Sequence, residues 1–495
     1  MLNRFFQGNN IMRLIANILG LLLAALTVIG CTQHQATVEA DYIFENVNVV
    51  PLNEEAVLAK QAVAIRGGKI VAILDQSSAG KIEAPTRIDA SGKYLMPGLS
   101  DMHIHMRMDP QAAFNLFLAN GVTTVFNMGL ADRNGDIEID HLKLRDDVAA
   151  GRMDGPRYLV SGPQLHAEEL PTLADVEPML DHHVAKSFDA VKVHGPLENE
   201  IYDSLIDGAR ARGLRVTGHT QHLRPLSASL RQDAIEHMEE FVYVSRDPAH
   251  GKAMAGSLEN YLNAYYPHAE RMSDPAYRAP VVAEVAAAGV YIDATLIIYQ
   301  YILNYISNDL FAALQSDERL TYLPGHIRDD YMNPETNEYR IGFAKVVGGP
   351  LGGHDALIAH TARNIETFSA LLFEMHEAGV PLLLGTDLFG AVVPGFSIHQ
   401  ELEMMVDAGL TPYDALRTGT VTVAAYLDET EIAGTVEVGK RADFVLVADN
   451  PLADIRNAAN VSGVFSHGKW RSASDLEKLL AEAKALAARA DMSDE

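Results

Sequence analysis

The sequence holds a single cysteine, Cys31, in 495 residues. No intrachain disulfide can form, and no thiolate exists beyond that position, so a metal centre further along must use nitrogen and oxygen ligands. Basic residues are also scarce: 39 Lys and Arg stand against 66 Asp and Glu, a formal net charge of −27. Phosphate binding needs a basic surface, so nucleic acid is excluded as a partner. The carboxylate surplus serves solubility. With 48% apolar residues, the chain can bury one large core and still support a smaller domain.

What is present begins with a leader. Arg4 and Arg13 precede an apolar run, Leu14 to Ile29, that is shorter than the about 20 residues of a membrane-spanning helix and flanked like a secretory signal. The run ends in Val28-Ile29-Gly30-Cys31, which resembles the bacterial lipobox, where the thiol is lipidated and the chain cut before it. Residues 1–30 are therefore expected to be a lipoprotein signal peptide, with an uncleaved anchor helix as the alternative. Either leaves the protein at a membrane, and two buried acyl chains hold where one binds only marginally. Thr32 after the cysteine, by resemblance to Gram-negative lipoproteins, implies export and outer-membrane anchoring towards the periplasm.

Tyr42 to Val50 and Ala62 to Leu74 alternate apolar and polar residues around Gly67-Gly68 and read as strands; so do the stretches after Gly434 and from Val461 to Phe465. Residues 42–95 and 429–472 are thus expected to form one small β-sandwich built from both chain ends. Between them, over 96–428, short apolar strands alternate with helical patterns, the signature of a parallel sheet with crossover helices. The strands are Leu99–Ile104, Val122–Asn127, Tyr158–Gly162, Ala190–Val193, Arg215–Gly218, Ala234–Glu236, Val290–Thr295 and Pro381–Gly385. That set fits a closed α/β barrel of the (β/α)8 TIM type. Ile297 to Val347 is oversized for one loop, rich in Tyr and Asn, and fit either to cover the barrel mouth or to make an oligomer contact. Residues 473–495 read as a C-terminal helix and tail, with an amphipathic helix over Ser474–Ala488.

The chemistry starts at Pro97-Gly98-Leu99-Ser100-Asp101-Met102-His103-Ile104-His105. Side chains two apart on a strand share a face, so His103 and His105 can reach one cation at the C-terminal end of the first barrel strand, the face where such barrels work. A buried lysine, Lys192 in Asp189-Ala-Val-Lys192-Val, is either paired to a core carboxylate or a neutral amine able to capture carbon dioxide. Its carbamate would offer one oxygen to each of two metals. Val216-Thr-Gly-His219 and Asp233-Ala-Ile-Glu-His237 each end a strand in an imidazole, with Glu236 read as supporting and His222 as a weaker candidate. Asp387, closing Leu-Leu-Leu-Gly-Thr-Asp, is a ligand and proton acceptor or a helix N-cap.

In this order the motifs resemble the amidohydrolase superfamily, over roughly residues 42 to 470. Ile292-Asp-Ala-Thr295-Leu and His399-Gln-Glu401-Leu look like its imidazolonepropionase-like and prolidase-like branches, whereas Lys192 is unlike imidazolonepropionase itself. The resemblance implies two divalent ions, zinc by default, held by His103, His105, Lys192 as a carbamate, His219, His237 and Asp387, with a metal-bridged hydroxide attacking a C–N carbonyl. Manganese, cobalt or iron would suit the same donors. Tyr243 and Arg246 are candidates for holding the carbonyl or a substrate carboxylate, Tyr243 with a catalytic role, or else start an exposed helix; His194 faces the same cavity or makes a core hydrogen bond.

Three functions stay open: an amide hydrolase acting on dipeptides, N-acyl amino acids or other small-molecule amides, a lactone or organophosphate ester hydrolase, and a catalytically inactive lipid-anchored binding protein. Replacing Cys31 by Ser should move the protein from the membrane to the soluble fraction; retention in the membrane would reject lipidation.

Overall fold

The computed structural model describes residues 37–129, 139–243, 269–346 and 353–493. Cys31 with its leader, and Arg246, lie outside the described residues, and of Tyr243 only the backbone is described. Among the described residues no helix is long and apolar enough to cross a membrane.

The first strands are β1 (Val38–Glu39), β2 (Tyr42–Val49), β3 (Leu58–Arg66), β4 (Lys69–Asp75), β5 (Ile82–Glu83), β6 (Thr86–Asp89) and β7 (Tyr94–Pro97). The barrel follows as β8 (Leu99–Ile104), β9 (Val122–Asn127), β10 (Arg157–Leu165), β11 (Ala190–Val193), β12 (Val216–Gly218), β13 (Ala234–Glu236), β14 (Tyr291–Asp293) and β15 (Leu382–Leu383). The chain returns to the first layer with β16 (Phe444–Val447), β17 (Val461–Ser466) and β18 (Lys469–Ser472).

Both chain ends share one sheet, in the order β18-β17-β16-β7-β2-β3-β4, with β6 on β2. In a flat sheet β2 and β17 would lie about 14 Å apart at ~4.8 Å per strand. The rings of Phe44 and Phe465 are 6.2 Å apart. The sheet is therefore rolled, and its inner face closes on Phe44, Phe444, Phe465 and Trp470. The expected sandwich takes the form of one sheet folded over itself.

β8 to β15 pair in sequence order, each with its parallel neighbour. The seam is drawn together where the Met102 amide donates to the Leu384 carbonyl at 2.8 Å and the Asp387 amide to the His103 carbonyl at 2.7 Å. Near-continuous apolar runs suit strands covered on both faces, and every residue of β8, β9 and β11 is buried. β14 and β15 are shorter than their apolar patterns predict; Thr295 (φ 46°) turns the chain away two residues past β14. The segment expected as a long loop is largely helical, over Leu296–Ile306, Asn308–Gln315, Gly325–Met332 and Glu338–Val346. Its Tyr- and Asn-rich composition reads as loop, but Tyr299, Tyr301 and Tyr305 are buried, and tertiary packing overrides local propensity.

Sheet and barrel are tied by charge. Asp154, in the loop before β10, accepts from Arg471, buried on β18, and from Lys469 Nζ at 2.7 Å. Partial burial raises the Asp154 carboxyl, but the two cations outweigh it and hold it below the usual range. A folded-state value below the unfolded one stabilises above the unfolded value and is lost as pH falls through the folded one. Asp154→Asn should cost about 2–4 kcal/mol at pH 7, less than a fully buried pair because Asp154 is a third exposed. In denaturant titrations that gap should narrow below about pH 4.

Candidate active site

Every sequence-predicted ligand lies at the C-terminal end of a barrel strand. His103 is the penultimate residue of β8, with no solvent exposure, and His105 follows the strand at the rim. Three lone-pair donors converge there: His103 Nε2 and His105 Nε2 are 3.3 Å apart, and Asp387 Oδ1 lies 3.3 Å from the first and 3.1 Å from the second. Donors bound tetrahedrally to one ion at about 2.0–2.1 Å are spaced about 3.3 Å from one another. The donor set and its spacing thus fit a divalent cation.

Across the mouth, Lys192 is fully buried on β11, its Nζ in contact with Glu236 of β13. His219 and His237 complete the arc, with ring centroids 4.9 Å apart, and His237 lies 4.8 Å from His103. Ligand atoms of His103, His237 and Asp387 lie within 4.8 Å of one another, as do those of His219, Glu236 and His237. Glu236, read from sequence as a supporting residue, therefore stands within ligand reach.

The second nitrogen of His219 and that of His237 are each held by a partner from the chain. Glu240 accepts from His219 Nδ1 and from His222 Nε2, both at 2.8 Å, and from the Thr220 amide at 2.9 Å. A carboxylate on Nδ1 holds His219 in the tautomer whose Nε2 lone pair faces the cavity. His222, the weaker candidate, is spent on the same carboxylate. His237 Nδ1 meets Thr295 Oγ1 at 2.7 Å. His194 faces His219 at 4.6 Å between ring centroids and hydrogen-bonds His166 Nε2 at 2.8 Å, while His166 Nδ1 lies 3.1 Å from Glu169.

Close backbone approach sets these positions. Gly218 carries φ +148° beside the Val193 carbonyl, where an added Cβ would sit at 1.9 Å. His237, Thr295, Asp387 and Leu388 all adopt positive φ. Such strain persists only where surrounding structure over-determines it, and it clusters at functional sites.

Burial keeps the imidazoles neutral: it holds His103 well below its ordinary value, lowers His219, and takes His237 down to about 3. Burial also lowers Lys192 to about 7, partly offset by Asp387, Asp293 and Glu240. Asp387 is pushed up by burial, but His103, His105 and His237 outweigh this and hold it well below the carboxylate range. Neutral imidazoles beside an ionised carboxylate are the state a metal requires of its ligands.

The match to the model of the amidohydrolase family covers residues 94–471. The chain belongs to that family. An adenine deaminase of Chelativorans sp. (strain BNC1) is 34% identical over 211 residues, which is 38% of this chain and 34% of the deaminase. The chain spans between 15% and 34% of the length of the curated relatives it matches. Solved structures that share the fold include a bottromycin amidohydrolase (TM-score 0.65, 20% identity, 90% of each chain) and a Xaa-Pro dipeptidase with bound methionine (TM-score 0.58, 17% identity, 87% of this chain and 99% of that one).

Sequence reasoning missed Glu240 and Thr295, although the acidic pair Glu239-Glu240 just after His237 was a signal for the first. Glu240→Gln should weaken zinc binding about 10–100-fold, read by competition with a chromophoric chelator, because an amide orients His219 less strongly. Unchanged affinity would remove Glu240 from the site.

Proposed function

We propose that the protein is a metal-dependent hydrolase of C–N bonds that cleaves dipeptides or N-acyl amino acids. The observation that carries this reading is the convergence of His103 Nε2, His105 Nε2 and Asp387 Oδ1 at 3.1–3.3 Å, opposite His219 and His237. His103, His105 and Asp387 would hold one divalent ion and His219 and His237 a second, with Lys192 between them. Zinc suits the donors, and bound ions would supply an acidified water and polarise the carbonyl oxygen.

The chain's own contribution is proton transfer and pre-organisation. Asp387, kept ionised by three imidazoles, takes a proton from the water that adds to the carbonyl carbon. As the C–N bond breaks, the same carboxyl returns that proton to the departing nitrogen. Glu240 and Thr295 hold His219 and His237 in place, so their rings need not reorganise during the reaction.

Lys192 with a value near 7 is substantially neutral at working pH, and its amine can add to carbon dioxide with loss of one proton. Glu236 is the partner that a protonated Lys192 would use instead. The carbamate reading is favoured because it places an anion between the two histidine sets. We also infer export and anchoring at the envelope through Cys31, supported by the leader sequence.

The test is metal analysis of the purified protein, followed by a screen of dipeptides, N-acyl amino acids, a lactone and adenine. Two metal equivalents with amide turnover are expected; turnover of the lactone alone would replace the reading. Lys192→Ala should lose at least one metal equivalent, and full metal content in that variant would overturn the carbamate. Asp387→Asn should lower kcat by about 10²–10⁴-fold.

A further inference from the structure

The opposite end of the barrel holds a cavity that the metal site does not use. Its volume is about 490 Å³, within the range of small-molecule sites. It lies at the N-terminal ends of β12, β13 and β14, where Arg215, Asp233 and Val290 lead into the strands. The C-terminal ends of two helices, Asn199–Ala211 and Pro275–Ala288, complete its wall through Arg210 and through Ala288 and Gly289. Leu214, Leu230 and Tyr291 give it an apolar side, and Tyr291 stands edge-on to Tyr426 at 5.1 Å.

Five charged side chains line this cavity: Arg210, Arg215, Arg231, Asp233 and Asp428. Three of them are spent on other partners. Arg215 pairs with Asp428 at 2.7 Å and donates from Nε to the Tyr426 carbonyl at 2.9 Å, while Arg231 pairs with Asp203 and Asp207 of the helix Asn199–Ala211. Arg210 and Asp233 form no ion pair among the described residues, although both face the same cavity. Arg210 reaches the Arg231 carbonyl at 3.4 Å, and Asp233 Oδ2 accepts from the Val216 amide at 2.8 Å, which leaves Oδ1. Both side chains are exposed. One uncommitted cation and one uncommitted carboxylate thus share an apolar-sided cavity.

We propose that this cavity is a second binding site, for a free α-amino acid, with the carboxylate on Arg210, the ammonium on Asp233 and the side chain against Leu214, Leu230 and Tyr291. An anion alone would meet two aspartates and the carbonyl ends of two helices, where negative charge is unfavourable; a cation alone would meet three guanidinium groups. A ligand with both charges on one carbon satisfies both. The choice of an α-amino acid among such ligands rests on the amide-hydrolase reading, because cleavage of a dipeptide or an N-acyl amino acid releases one. The cavity is also linked to the metal centre. β12 is three residues long, about 10 Å, and runs from the amide held by Asp233 to His219. Gln232, in the cavity wall, donates from Nε2 to the His219 carbonyl at 2.9 Å. Occupation of the cavity therefore bears on the placing of His219, and a released product acts back on the site from below.

The test reads binding without turnover. L-Leucine, isocaproate, which lacks the ammonium, and isopentylamine, which lacks the carboxylate, are titrated calorimetrically into the zinc-loaded wild type and the variants Arg210→Gln and Asp233→Asn. L-Leucine should bind the wild type at least about fivefold more tightly than either fragment. Arg210→Gln should weaken L-leucine about fivefold or more and leave isopentylamine within about twofold; Asp233→Asn should weaken L-leucine and spare isocaproate. Asparagine keeps an acceptor for the Val216 amide, and Arg210→Gln, on an exposed helix end, decides alone if the asparagine variant does not fold. Equal binding of L-leucine by wild type and Arg210→Gln, or a fragment that binds the wild type as tightly as L-leucine, overturns the proposal. Saturating L-leucine should shift zinc affinity about twofold or more in the wild type and not in Arg210→Gln, read with a competing chelator, and the same shift in both, or none, overturns the link to His219. L-Leucine binding that depends on Arg210, in a protein that hydrolyses neither dipeptides nor N-acyl amino acids, keeps the cavity's ligand and overturns the amide-hydrolase reading instead.

Discussion

A lysine with no solvent exposure in the middle of a barrel must be neutral, paired or modified, and the mouth of this one is arranged around that demand. Lys192 touches Glu236 and feels Asp387, Asp293 and Glu240, so its charge is tied to the acidic groups around it. The histidines extend the same constraint outward. Burial weakens His103, His219 and His237 as bases, and the lone pairs of His219 and His237 are directed inward by Glu240 and Thr295. What remains is a cluster of donors whose mutual repulsion is relieved when a cation sits among them.

Backbone strain is the cost of holding that cluster. His237, Thr295, Asp387 and Leu388 occupy left-handed conformations at the ends of neighbouring strands, each uncommon for a side chain with a Cβ. The seam bonds around Met102 and Asp387 keep those ends from relaxing. The order in which barrel strands close thus bears directly on ligand geometry.

Much of the site was legible because its signals are local. His103 and His105 are two apart on one strand, and His219, His237 and Asp387 each end an apolar run, so period and position place them on one face. Glu240 and Thr295 were assigned no such role, since their contacts join the ends of neighbouring strands in a way spacing does not encode, although the acidic pair after His237 was a signal for the first. The helices between Leu296 and Val346 were hidden for a different reason: their tyrosines pack against one another and against the βα turn after β15, a tertiary effect absent from composition. Of the substrate contacts expected from sequence, Arg246 lies outside the described residues and Tyr243 is described only in its backbone.

The rolled sheet at the chain ends has a consequence for how the molecule is made. β16 sits between β7 and β17, so until the chain's final strands emerge, β7 offers an unpaired hydrogen-bonding edge at the threshold of the barrel. Such an edge is both slow to satisfy, because its partner is distant in sequence, and prone to pairing with another chain. A chain made from its N-terminus therefore carries every one of the site's donors before it can close this sheet.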